Sequence, residues 1–125
     1  MKRNYKLRIQ DILDCINIIE SYIKGKSEND FYSSYQLQDS VIRRLEIIGE
    51  ATKNIPEEVR KKYPDLPWKK MAGLRDVVIH DYSEVVEERV WNTITKELPV
   101  AKRLIEKIRE DLEKSPENLF FTTKF

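Results

Sequence analysis

Residues 8–23, Arg8-Ile9-Gln10-Asp11-Ile12-Leu13-Asp14-Cys15-Ile16-Asn17-Ile18-Ile19-Glu20-Ser21-Tyr22-Ile23, decide the fold. Ile9, Ile12, Leu13, Ile16, Ile19 and Ile23 recur at three- and four-residue steps. That is the period of one helix face, and it is incompatible with the strict alternation of a half-buried strand. Gly25-Lys26-Ser27-Glu28-Asn29-Asp30 then ends the pattern. Cys15 lies beside the stripe and reads as a core residue rather than a nucleophile.

The same period recurs along the chain. A second helix is expected from about Phe31 to Asn54, with Leu37, Val41, Leu45, Ile48 and Thr52 on one face. Its interior Gly49 costs helix stability relative to alanine, so it marks a close approach of another element. Pro56-Glu57-Glu58-Val59-Arg60 suits a short helix opened by proline, and Tyr63-Pro64-Asp65-Leu66-Pro67 interrupts the chain again. A third long element starts near Trp68, carries Met71, Leu74, Val77 and Val78 toward the core, and ends around Ile79 or His80. There Asp81-Tyr82-Ser83-Glu84 has the pattern of a capping box. The next helix buries Val86, Val90 and Ile94 with Trp91 beside them, and Leu98-Pro99 marks a kink or restart. The last helix uses Ala101, Leu104, Ile105, Ile108 and Leu112. The expected fold class is therefore all-α: a bundle of four to five main helices over residues 1–113, followed by a tail, 114–125. Leu119, Phe120, Phe121 and Phe125 fit that tail for packing on the body or on a partner.

Composition narrows the function. One cysteine excludes a disulfide within the chain, and one cysteine with one histidine cannot make a Cys/His zinc cluster. No metal ligand set and no cofactor motif is expected. Neither a signal peptide nor a membrane-spanning run is visible, which points to the reducing cytoplasm and no membrane partner. The net charge of +1 argues against a globally basic nucleic-acid binder. Between Arg60 and Arg75, however, six basic residues (Arg60, Lys61, Lys62, Lys69, Lys70, Arg75) face one acidic residue, Asp65. This local excess of +5 is a modest field for a polyanion, and the plain alternative is a solvated lysine-rich turn. Tyr63 and Trp68 beside it are available for stacking, although Trp68 reads more readily as core.

That basic segment leads into Arg75-Asp76-Val77-Val78-Ile79-His80-Asp81-Tyr82, which holds the sole histidine. A guanidinium holds phosphate at any physiological pH, and an imidazole titrates near neutrality, so the two make a phosphodiester-handling pair. On an unbroken helix a five-residue step leaves Arg75 and His80 roughly 140° apart. A helix end near His80 removes that objection. Cleaving RNA without a metal needs a base for the 2′-hydroxyl, an acid for the leaving oxygen and a cation for the phosphate. One histidine serves poorly as both acid and base, and a two-fold homodimer supplies a second. The plain alternative is that His80 caps a helix end and Arg75 pairs with an acidic neighbour such as Asp76 or Asp81.

The run Arg75-x4-His80-x-Tyr82 resembles the signature of the HEPN superfamily, and its tyrosine-containing form resembles the HepT toxins of HepT–MntA toxin–antitoxin modules. The likeness extends through the Arg43–Ala51 run, Pro64-Asp65-Leu66-Pro67-Trp68, Met71-Ala72-Gly73-Leu74-Arg75-Asp76, and Val90-Trp91 to Leu98-Pro99. It covers nearly the whole chain except the N-terminal residues and the tail. The resemblance implies a homodimeric HEPN-like bundle that sets two motif copies in one cleft as a metal-independent endoribonuclease. Arg75 and His80 would be catalytic, Asp76 would support them, and Lys61, Lys62, Lys69 and Lys70 would touch RNA. It further implies that a partner MntA-like nucleotidyltransferase neutralises the toxin by transferring AMP to Tyr82, blocking the cleft with bulk and negative charge. Two other classes stand beside it. One is a non-catalytic partner or regulator of such a nucleotidyltransferase, and the other a helical module whose apolar faces serve only dimerisation.

Overall fold

The computed structural model describes residues 2–76 and 84–114. Among them there is no strand, and the chain runs through α1 (Lys2–Ile23), α2 (Glu28–Tyr32), α3 (Tyr35–Lys53), α4 (Glu57–Lys62), α5 (Trp68–Ala72), α6 (Glu84–Asn92), a π-helical turn (Thr93–Glu97) and α7 (Leu98–Glu113). The all-α expectation holds. α1 lies against both α3 and α7, and α3 carries α5 on another side. The isoleucine stripe of α1 is the hub: Ile9, Ile12, Ile16 and Ile19 are fully buried, with Val41, Leu45 and Ile48 of α3 and Ile105 and Ile108 of α7 in the same cluster. Cys15 is buried there as expected, and burial pushes its thiol pKa up, away from nucleophilic use.

Two helices are shorter than the apolar period alone predicts. The expected 31–54 helix is broken at Ser33-Ser34, so that Phe31 belongs to α2. Side-chain caps explain the break. Ser27 and Asp30 form a reciprocal capping box that starts α2, and Ser34 Oγ accepts from the Leu37 amide at 3.1 Å to start α3. Gln38, itself buried, donates to the Phe31 and Tyr32 carbonyls at 2.9 and 3.0 Å and so closes the corner. Phe31 then stacks obliquely on Trp91 of α6, centroids 5.5 Å apart.

The third long element is interrupted as well. α5 ends at Ala72, Gly73 bonds back to the Lys69 carbonyl at 3.0 Å, and residues 74–76 are helical again. Glycine's poor helix propensity favours such a stop. Met71 and Leu74 are buried as expected, whereas Val77 and Val78 lie outside the described residues. The kink or restart expected at Leu98-Pro99 is a restart: α7 begins at Leu98 with Pro99 in its first turn, directly after the π-helical turn. Pro99 has no N–H for the Thr95 carbonyl four residues back, and the Leu98 amide instead bonds five residues back to Thr93, giving the π-helical turn.

The C-terminal end of α3 is closed by one side chain. Arg60 Nη2 donates to the Thr52 and Lys53 carbonyls at 2.9 and 3.2 Å, and Nε donates to Ile55 at 3.1 Å. Thr52 and Lys53 are in the last turn of α3, where a cation also meets the negative end of the helix dipole, and Ile55 lies just beyond the Asn54 cap. Arg60→Ala is expected to cost about 1–2 kcal/mol of stability. Leu45→Ala, which empties a 1% exposed core position, should cost about 3 kcal/mol. Urea unfolding checks both: equal losses, or none for Arg60→Ala, would refute the capping role.

Candidate functional site

Arg75 stands where α3 and the segment after α5 touch backbone to side. The contact is possible because of Gly49. A Cβ at that position would lie 3.1 Å from the Arg75 amide nitrogen, 3.3 Å from the Ala72 carbonyl oxygen and 3.3 Å from Arg75 Cβ. Two of these neighbours are main-chain atoms, so a side chain at this position would push the two segments apart by a few tenths of an ångström. The close approach expected from the sequence is therefore present, and it is made to the segment carrying Arg75.

One residue further along α3, Glu50 pairs with the guanidinium: its Oε1 accepts from Arg75 Nη1. Both side chains are about half exposed, 45% and 48%. The pair sits in an open groove of about 460 Å³ between α1 and α3, lined also by Arg8, Asp11, Arg43, Glu46, Ile47, Ala51 and Asn54. Arg8 pairs with Asp11 at 3.6 Å and Arg43 with Glu46 at 3.8 Å. The groove is thus built from arginines, each beside a carboxylate, and offers guanidinium forks suited to phosphate or carboxylate oxygens.

The other expected site residues fall as follows. Asp76 is exposed, and its amide donates to the Gly73 carbonyl at 3.1 Å. Arg75 takes its carboxylate partner from Glu50 of a different element, rather than from Asp76 beside it. His80, Asp81 and Tyr82 lie outside the described residues. Lys61 and Lys62 close the last turn of α4, and Lys69 and Lys70 sit on α5; all four are exposed, and none lines the groove.

The basic excess seen in the sequence is largely spent on named partners. Arg60 caps α3, Lys61 faces Glu57 at 3.8 Å, Lys70 bonds to Glu97, and Arg75 bonds to Glu50. Trp68 is core, 7% exposed, with its indole N–H donating to the Tyr63 carbonyl at 2.9 Å. Tyr63 is also structural: its hydroxyl donates to Asp111 of α7 at 2.7 Å, and burial first, then that bond, raises its pKa. Stacking on RNA is therefore not what holds these two rings in place. Glu50 and Gly49 are the residues that sequence reasoning left without a site role, although both stand in the Arg43–Ala51 run. Among the described residues no three His, Cys, Asp or Glu side chains converge as metal ligands, and no helix is long and apolar enough to cross a membrane.

Residues 12–108 match the family described as HepT-like, Ribonuclease HepT-like. The chain is 45% identical over 120 residues to a Methanocaldococcus jannaschii protein named as a gamma-glutamylcyclotransferase and, provisionally, an RNase. That match takes 96% of this chain and 54% of the relative, so the chain spans about half of that protein. It is 40% identical over 117 residues to a second protein of that organism provisionally named an RNase, covering 94% of this chain and 97% of the relative. It is also 40% identical over 110 residues to a Thermococcus cleftensis protein named "probable ribonuclease HepT", covering 88% and 100%. No solved structure matches the chain significantly.

The Lys70–Glu97 contact supplies a pH test of how the basic segment is held. The hydrogen bond from Lys70 is the main cause that lowers the Glu97 pKa, with a further bond from Thr93 Oγ1. A carboxylate depressed in the folded state adds stability above its unfolded pKa of about 4.3, and loses it as pH falls through the folded value. With side chains 58% and 35% exposed, the pair is worth at most about 1 kcal/mol. Lys70→Met should lower the urea midpoint slightly at pH 7, and the gap to wild type should close below about pH 4. A gap that stays constant from pH 7 to pH 3 would show that the charge pair is not its origin.

Proposed function

Since this chain belongs to the ribonuclease HepT-like family, we propose that it is a metal-independent endoribonuclease acting as the toxin of a toxin–antitoxin module. The observation that carries the reading is a guanidinium, Arg75, held half-exposed at a groove in a chain that matches a ribonuclease family over residues 12–108. In this proposal the RNA 2′-oxygen attacks the adjacent phosphorus and the bond to the 5′-oxygen breaks. Arg75 stabilises the charge that builds on the non-bridging oxygens. His80 moves the proton, from the 2′-hydroxyl or to the leaving oxygen, and a homodimer brings the second histidine that performs the other transfer. Asp76 supports Arg75 from the next position, and Lys61, Lys62, Lys69 and Lys70 guide RNA phosphates toward the cleft.

Control is proposed to act at Tyr82. An MntA-like nucleotidyltransferase transfers AMP from ATP to its hydroxyl: the tyrosine oxygen bonds to the α-phosphorus, the α–β phosphoanhydride breaks and pyrophosphate leaves, placing a phosphate and a nucleoside two residues from His80. The modification excludes RNA by bulk and by like charge.

Incubation with RNA in EDTA tests the chemistry. Wild type should cleave, and Arg75→Ala and His80→Ala should each lose about 100-fold or more. Equal RNA integrity with all three proteins would sink the nuclease and favour a non-catalytic partner of the nucleotidyltransferase. Intact mass after incubation with the cognate transferase and ATP should show added AMP on wild type and none on Tyr82→Phe. Equal modification of both would move the site elsewhere.

A further inference from the structure

We infer that Gly49 and Glu50 of α3 together form the positioning device for Arg75, an assignment that rests on the ribonuclease reading above. Arginine has one of the most freely rotating side chains, and a phosphate-stabilising group must be held to a fraction of an ångström to be effective. Arg75 follows α5 and its Gly73 stop by two residues. What fixes it is α3. The bare Cα of Gly49 sets how near the Arg75 backbone comes, and the adjacent carboxylate of Glu50 sets where the guanidinium points. Backbone and head group are thus registered on consecutive residues of one 19-residue helix.

Three observations separate positioning from simple charge pairing. The contact engages Nη1 of a group with five N–H donors, so among the described residues the rest of the fork stays open to an incoming oxyanion. A carboxylate beside a phosphate site opposes RNA electrostatically, so a groove selected only for attraction would not hold one there. Finally, the Arg8–Asp11 and Arg43–Glu46 pairs each lie within a single helix, three residues apart, whereas Arg75–Glu50 joins parts of the chain 25 residues apart. Of the three arginines lining the groove, it is Arg75 that is tied across elements.

The test compares wild type, Glu50→Gln, Glu50→Ala and Gly49→Ala, all as full-length chains, by RNA cleavage in EDTA. Glu50→Ala should lower kcat on the order of 100-fold with little change in KM. Glu50→Gln, which keeps an oxygen for Nη1, should recover much of the rate. Gly49→Ala should lower kcat as well, and melting curves followed by circular dichroism should place both Glu50 variants close to wild type. A rate for Glu50→Ala equal to or above wild type would overturn the assignment and make Glu50 a competitor of phosphate. A second readout is independent of turnover: relaxation of the Arg75 Nε–H signal in ¹⁵N-labelled protein should report a mobile guanidinium in Glu50→Ala and an ordered one in wild type. Equal mobility overturns the positioning even if RNA is cut. An ordered Arg75 that Glu50→Ala loosens, in a wild type that cuts no RNA, upholds the positioning and overturns the ribonuclease reading instead.

Discussion

The absence of a side chain at Gly49 is the constraint on which the site depends. A methyl group there would meet main-chain atoms of Ala72 and Arg75 at 3.1–3.3 Å. The segment after α5 would then have to give by a few tenths of an ångström, taking Arg75 with it. Glycine costs α3 up to about 1 kcal/mol of helix propensity. α3 tolerates this because its flanking residues Leu45, Ile48 and Thr52 are buried against the bundle and its far end is closed by Arg60. The helix is held by packing and capping, which leaves one position free to be spent on proximity.

Charge in this molecule is mostly committed locally. The segment from Arg60 to Arg75 reads as a positive field in the sequence, yet four of its six cations go to helix carbonyls, Glu57, Glu97 and Glu50. Counting charges along a chain overstates the field wherever the fold brings carboxylates from distant elements. Glu97 lies 27 residues from Lys70, and Glu50 lies 25 from Arg75. Any polyanion approaching the groove meets forks that already carry a carboxylate, and its recognition depends on geometry more than on net charge.

The apolar period of residues 8–23, the close approach at Gly49 and the core places of Cys15 and Trp68 were legible because each follows from one local rule acting on one residue or one face. The breaks at Ser33-Ser34 and Gly73 were not, since the Leu37–Thr52 stripe begins only after the first and does not mark where its helix starts, while Met71 and Leu74 keep a helical step across the second. At Ser33-Ser34 the side-chain hydrogen bonds of Ser34 and Gln38 compete with helix continuation, whereas at Gly73 the amide still bonds to Lys69 as in a helix and the stop follows from glycine's poor helix propensity. Arg75 was found from its spacing to His80 in the motif. Its partner Glu50 was not, because pairing across two elements leaves no periodic trace in the sequence; an unexplained glycine beside a carboxylate is the nearest thing to a signal.

The π-helical turn at Thr93–Glu97 has an effect on the whole C-terminal half. Accommodating one additional residue per turn changes the angular phase of everything that follows by about 100°. α6, the π-helical turn and α7 follow one another without a gap; Trp91 of the first meets Phe31 of α2, and Ala101, Ile105 and Ile108 of the last lie in the core shared with α1. An unbroken α-helical phase would set Trp91 and the Ala101–Ile108 stripe about 100° differently from one another. Pro99 therefore works as a rotary coupling: by withholding a single N–H it resets the phase between the helix that meets α2 and the helix that meets α1.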